Sequence, residues 1–284
     1  MRILLTGAGG QLASDLAETF RAAGHDVAAR PRVELDVADV AAVGAVLDEV
    51  SPDAIVNPAA YNRVDDAEKE IAHAFAVNAF APRVLAQAAA TRGITLVHYS
   101  TDYVVDGSRR VPYMEDDAAL PLSAYAASKL AGENFVRAPA ARHYVVRVCG
   151  LFGLAGRQTR HGNFVETMLR AAASGRALRV VTDQIVAPTS TRDVAAATLA
   201  LLEKDAPYGL YHCTAAGETS WYGYACAIFE LAGIEAGLSP VSAAEYGAPA
   251  RRPPYSILDN RKLEAAGITR PRHWRDALAE YLSL

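Results

Sequence analysis

The chain is predicted to be an α/β protein, a parallel sheet flanked by helices with a smaller mixed α/β lobe towards its C-terminal end. Three observations predict it. Short apolar runs alternate with helical periodicity through the first half, as parallel strand–helix–strand units require. A glycine-rich turn, Gly7-Ala-Gly-Gly10, lies between the first such run and the first helical pattern. Beyond Gly150 the alternation loosens, so residues 1–150 are assigned to the sheet domain. Residues 151–284 are assigned mainly to a second lobe, with some segments returning to the first.

The elements follow in order. Ile3–Leu5 is a strand, and Gln11–Ala23 has helical spacing through Leu12, Leu16 and Phe20, with Gly24 placed to cap it. Val27–Arg30 is the second strand, and Val40–Glu49 carries Val43, Val46 and Leu47 on one stripe. Ala54–Asn57 is the third strand. From Glu68 to Arg92 the pattern reads as one long helix, stopped by Gly93. Thr95–Ser100 is the fourth strand, a helix runs from Ser123 to about Val136, and His143–Val148 is the fifth strand. Further on, Phe164–Ser174 is helical with Gly175 as its stop. Arg192–Leu202 is a helix with Asp193 in its first turn, and Ser220 is placed to cap Trp221–Ala232. Arg251–Pro254 is proline-stiffened loop, and Asp276–Tyr281 is a short closing helix.

The bulk properties narrow the function. With 28 basic and 32 acidic residues the net charge is -4, so no nucleic-acid footprint is expected. No apolar run approaches the roughly 18 residues of a membrane span, so no membrane partner is expected either. The chain opens directly on a strand, without the basic, apolar and cleavage segments of a leader, and a cytoplasmic location is expected. Cys149, Cys213 and Cys226 lack CxxC spacing and are odd in number, which fits a reducing compartment. Each is expected to be a small buried apolar side chain.

Gly7, Gly10 and Ala13 form G-x-x-G-x-x-A between a strand and a helix, the context of a Rossmann-type dinucleotide site. Glycines tighten that turn and let the backbone N–H groups of Gly10, Gln11 and Leu12 approach a pyrophosphate at the helix N-terminus. No Gly-Lys-Ser/Thr follows, which excludes a phosphate loop of the nucleotide-hydrolase kind. At the end of the second strand, where an acid would hold a ribose 2′-OH, stands Arg30 with Arg32 nearby. Guanidinium groups suit a 2′-phosphate, so NADPH is the expected cofactor, with NADH left open. Asp36 and Val37 are candidates to border the adenine. Ala59, Ala60 and Tyr61, at the third-strand exit, are candidates to let the cofactor pass close to the backbone. Asn78, in an apolar helix, either braces the active-site backbone or faces water.

Tyr125 and Lys129 are four apart and share a helix face. A phenol titrates near 10, and a neighbouring ammonium is expected to lower that value. Such a phenol can protonate a carbonyl oxygen as hydride reaches the carbon, while the lysine holds the cofactor ribose. Ser100 and Thr101 end the fourth strand, and the Thr101 hydroxyl is available to the same oxygen. Thr101, Tyr125 and Lys129 are therefore the candidate catalytic residues.

With these residues in view, the chain resembles the extended short-chain dehydrogenase/reductases, on their deoxysugar-nucleotide branch. The resemblance runs nearly end to end. It includes Asn57-Pro-Ala-Ala-Tyr61, Val64-Asp-Asp-Ala-Glu68, Ser100-Thr-Asp-Tyr-Val-Val-Asp-Gly107 and Tyr125-Ala-Ala-Ser-Lys-Leu-Ala-Gly-Glu133. Further blocks are Gly162-Asn-Phe164, Asp183-Gln-Ile-Val-Ala-Pro-Thr189, Gly217-Glu-Thr-Ser-Trp221 and Arg252-Pro-Pro-Tyr-Ser-Ile-Leu-Asp-Asn260. It implies hydride delivery from a reduced nicotinamide to C4 of dTDP-4-dehydro-β-L-rhamnose, giving dTDP-L-rhamnose. It further implies a dTDP-sugar cleft lined by Thr101, Asp102, Tyr103, Asn163, Gln184, Arg251 and Arg252. A homodimer is the assembly it allows. Some relatives dimerise through acidic residues that hold magnesium. Asp15 is the nearest counterpart, but the loop after Pro188 offers no second acid, and no required metal is expected. Three departures are visible: Ala13 replaces the third glycine of the turn, Ala126 replaces a common glycine, and Gly150 stands where several members carry a tryptophan that packs on the sugar.

Three rival functions share the fold. A 4,6-dehydratase would carry Asp-Glu after the threonine, whereas the chain reads Thr101-Asp102-Tyr103. A 4-epimerase would retain its nicotinamide and rotate a keto intermediate. A noncatalytic regulatory subunit would have no need of an intact Thr101, Tyr125 and Lys129.

Overall fold

The computed structural model describes residues 1–158 and 162–284. The strands are β1 (Arg2–Thr6), β2 (Asp26–Arg30), β3 (Ala54–Asn57), β4 (Thr95–Thr101), β5 (His143–Val148), β6 (Leu178–Val181), β7 (Ile185–Val186), β8 (Gly209–His212), β9 (Thr219–Ser220) and β10 (Leu238–Val241). Six of them form one parallel sheet in the order β2-β1-β3-β4-β5-β8. Its faces follow from alternation along each strand. Ile3 and Leu5 point to one apolar layer and Leu4 to the other.

Helices α1 (Gln11–Ala22), α2 (Val40–Val50), α3 (Ile71–Phe75), α4 (Ala81–Arg92), α5 (Ala124–Arg137), α6 (Phe164–Ala173) and α7 (Thr191–Glu203) cover the sheet or begin the second lobe. α1 and α7 close one face around Leu16, Phe20, Val194 and Leu201. α2, α4 and α5 close the other through Val43, Leu47, Leu85 and Val136. The second lobe has its own core, in which Val165 of α6 meets Tyr224 and Ile228 of α8 (Trp221–Ala232). Short helices α9 (Ala243–Tyr246) and α10 (Arg261–Ala265) follow, and α11 (Trp274–Ser283) completes that core with Trp274 and Leu278. Two small sheets, β10-β6 parallel and β7-β9 antiparallel, belong to this lobe.

Two expectations are corrected. The long helix from Glu68 to Arg92 is broken: a 3₁₀ turn at Asp66–Glu68, then α3, a π turn at Ala76–Phe80, and α4. Pro82 has no N–H to return to Asn78, and the Ala81 N–H instead bonds the Ala76 carbonyl, one residue wider than an α-turn. Cys226 is exposed, unlike Cys149 and Cys213. On α8 the buried positions include Tyr224, Ala225, Ile228 and Phe229, and residue 226 falls off that stripe. Among the described residues no helix is long and apolar enough to cross a membrane.

Candidate active site

The strand order reverses at β1, so a crevice opens between the exits of β1 and β3, where open α/β sheets bind ligands. Gly7 turns with φ +64° there, and a Cβ on it would lie 3.1 Å from Cα of Ala59. Only glycine lets the two loops meet so closely. α1 starts behind this turn with no side-chain cap at Gly10, leaving its first amides to a ligand. The crevice widens into a cleft of 530 Å³.

Most of the sequence candidates meet in this cleft. Gly7, Gly10, Gln11 and Leu12 line its first end, with Asp36, Val37, Ala59 and Ala60 beside them. Ser100, Thr101, Asp102, Tyr103, Tyr125, Lys129 and Asn163 line the rest. The buried Ser100 Oγ has no partner among the described residues. A buried hydroxyl without a partner, aimed into a cleft behind a glycine turn and an uncapped helix, fits a dinucleotide that supplies the missing bond.

Other candidates lie outside the lining. Arg30 ends β2 as expected, but its guanidinium bonds Glu49 at 2.7 Å and faces Glu34 at 4.0 Å. Arg32, two residues on, is the arginine that lines the cleft among the described residues. Tyr61 and Asn78 act behind the wall. The Asn78 amide accepts from the Tyr61 N–H (2.8 Å) and donates to the Tyr61 carbonyl (2.9 Å) and to Ser128 Oγ of α5 (3.0 Å). Gln184 is buried beside β7, and Arg251 is exposed. Arg252 makes two 2.9 Å bonds to Asp65, tying the late loop to the sheet domain. Asp15 is turned inward to Thr191 rather than outward to a partner.

The catalytic candidates are held by α5 and β4. Ser123 caps α5 by accepting from the Ala126 N–H, and one helix face then carries Tyr125, Lys129 and Glu133 at successive turns. Glu133 is buried and makes a bidentate pair with Arg147 of β5, 2.9 and 2.8 Å, which fixes the rotation of α5 on the sheet. Gly132 lets α5 approach the π turn, since a Cβ there would lie 2.1 Å from the Asn78 carbonyl oxygen. Sequence reasoning gave Glu133 and Arg147 no role. The signal was the extension of Tyr-x-x-x-Lys by a further four residues.

The electrostatics differ from expectation at Tyr125. Burial pushes its phenol up to about 12, a hydrogen bond with Thr101 works against that rise, and the Asp102 charge adds to it. Lys129 does not lower it, because its Nζ donates to the Tyr99 carbonyl at 2.6 Å and burial pulls the ammonium down to about 8. Asp102 is raised to about 6 by burial, although Ser256 (2.5 Å) and Thr101 (3.1 Å) donate to its carboxylate.

The sequence profile of the RmlD substrate binding domain matches residues 1–284. The spore coat polysaccharide biosynthesis protein SpsK of Bacillus subtilis is 41% identical, over 99% of this chain and 96% of its own. The dTDP-4-dehydrorhamnose reductase of Streptomyces griseus is 41% identical, over 98% of this chain and 92% of its own. Among solved structures, the dTDP-4-dehydrorhamnose reductase of Bacillus anthracis in complex with NADP superposes with a TM-score of 0.93. It is 36% identical, covering 99% of this chain and 98% of that one.

Proposed function

The chain belongs to the RmlD substrate binding domain family, that of the dTDP-4-dehydrorhamnose reductases, and from this premise we propose how its residues carry out the reduction. It is an NAD(P)H-dependent reductase that adds hydride to C4 of dTDP-4-dehydro-β-L-rhamnose and releases dTDP-L-rhamnose. The observation that carries this reading is the convergence of Thr101, Tyr125 and Lys129 with the Gly7–Gly10 turn in one cleft.

A bound reduced nicotinamide supplies the hydride. Ser100 and the first-turn amides of α1 would hold that cofactor, and Lys129 would bind its ribose. Thr101 and Tyr125 bracket the C4 oxygen. A phenol raised to about 12 is held in the protonated form that reduction needs. The alkoxide formed at C4 is a stronger base than a phenolate, so the proton passes downhill from Tyr125 to oxygen. Carbon gains hydride, oxygen gains the proton, and the ketone becomes an alcohol.

NADPH is the preferred cofactor in this proposal, selected by Arg32 rather than Arg30. Arg32 borders the cleft next to Leu35, Asp36 and Val37 and has no carboxylate partner among the described residues. Asp36 turns its carboxylate back on the Ala38 N–H at 3.0 Å. The decisive experiment supplies purified protein with NADPH and dTDP-4-dehydrorhamnose and identifies the product by NMR. dTDP-L-rhamnose formed in step with NADPH loss supports the reading; recovery of unreduced ketosugar overturns it.

A further inference from the structure

One large apolar side chain in the cleft has no part in the steps above. Trp221 begins α8, straight after β9 pairs with β7, and the Ser220 hydroxyl caps the turn by accepting from Gly223 N–H at 3.0 Å. That fixes where the indole emerges. Phe164, the first residue of α6, braces it at a ring-centroid distance of 4.7 Å, and Tyr224 stands behind at 6.3 Å. The indole remains only half-buried and lines the cleft.

It reaches the cleft over Gly150. A Cβ on that residue would lie 3.2 Å from the Trp221 ring, and its φ of +47° is itself unfavourable for a side chain. Gly150 lies two residues beyond Val148, which is paired in the sheet with Thr101. The tryptophan therefore faces the region of the catalytic hydroxyls from the second lobe. The wall contributed by Ser100, Thr101, Asp102 and Tyr103 is polar, whereas the wall of Trp221, Val148 and Leu151 is apolar. A hexose that has lost its C6 hydroxyl presents the matching pair of surfaces, with hydroxyls on one side and C–H groups and a methyl on the other. An aromatic face in such a cleft gains from covering the second kind.

We propose that Trp221, admitted by Gly150, is the sugar-selecting residue, its indole packing on the apolar face and methyl of the 6-deoxyhexose. The proposal rests on the deoxysugar reading of the site and adds a residue and a discriminating surface to it. Trp221 and Trp274 are the two tryptophans of the chain, and Trp274 is buried in the core of the second lobe. Intrinsic fluorescence therefore reads Trp221 against a shielded reference. Protein saturated with NADP⁺ is titrated with dTDP-L-rhamnose and, separately, with dTDP. Quenching by the sugar nucleotide but not by dTDP, lost in Trp221→Phe, is expected. Trp221→Ala should raise KM for the ketosugar about tenfold, with kcat and NADPH affinity near the wild-type values, and Trp221→Phe should recover most of that loss. Gly150→Ala should repeat the KM effect by displacing the ring. A response to dTDP or to NADP⁺ alone, or an unchanged KM in Trp221→Ala, overturns the proposal. Should wild-type protein fail to turn over the ketosugar yet show sugar-dependent quenching, the reductase reading fails and the Trp221 assignment stands.

Discussion

At the scale of single residues, Tyr125 and Lys129 do different work from the tuned pair that their spacing suggests. The lysine's hydrogen bond goes to the Tyr99 carbonyl, so burial keeps the phenol protonated, and in the proposed reduction it yields that proton to the alkoxide. Tyr125→Phe should lower kcat by about 10²–10⁴ while NADPH affinity measured by titration stays unchanged; wild-type turnover in this variant overturns the acid role. The Lys129 ammonium is lost above about 8, so KM for NADPH should climb between pH 7 and 9. Lys129→Arg, charged throughout, should flatten that climb; an identical climb shows that another group titrates. Cofactor choice gives a paired test. Arg32→Asp should shift the ratio of kcat/KM from NADPH towards NADH, and Arg30→Asp should leave the ratio alone. The reverse result restores Arg30 as the selecting residue. The candidate catalytic residues were legible because Tyr-x-x-x-Lys and the glycine turn are local patterns. Which of the two arginines borders the cleft was not, because it depends on Glu49 reaching Arg30 from the next helix.

At the scale of elements, the placement of α5 decides whether the site exists. The buried Glu133–Arg147 pair locks that helix onto β5, and both partners are desolvated. Removing one leaves an unpaired charge in the interior. Glu133→Ala should cost about 3–5 kcal/mol of stability, whereas the double change Glu133→Leu with Arg147→Met should recover most of it. Urea unfolding of the three proteins checks this; equal losses in single and double variants would mean that packing, and not charge, holds the helix. The first five strands and most of the long helices could be read from the chain because their periodicity is set by which face meets the core. The π turn before α4 could not. It arises where a missing proline N–H coincides with the close approach of Gly132 from another helix, and only the second of these is invisible locally. β8 was also missed. Four residues, Gly209–His212, become a strand because β5 offers them an open edge.

At the scale of the whole molecule, stability should depend on buried imidazoles. His212 is pulled down to about 3 and His98 well below its usual value, both first by burial and then by Arg147 and Lys129 respectively. Below 6.5 the unfolded chain takes up protons that these folded histidines refuse, so each lowers stability as pH falls, by about 1.4 kcal/mol per unit. Asp102 acts with the opposite sign: folded, it is protonated from about 6, before an unfolded aspartate near 3.8, and so adds stability over that interval. His212→Gln should therefore lose about 2 kcal/mol less than wild type between pH 7 and 5, and Asp102→Asn should lose more. Parallel denaturation curves at the two pH values would refute both assignments. Because β8 pairs with β5 in the main sheet, residues 151–208 are spliced between two neighbouring strands. A fragment cut after Gly150 would bare the β5 edge as a template for aggregation. The second lobe cannot then be exchanged between relatives by a single crossover. A hybrid keeps its sheet only if the second junction also respects β8, so new sugar preferences in this architecture arise more readily by point changes at the cleft wall than by shuffling of modules.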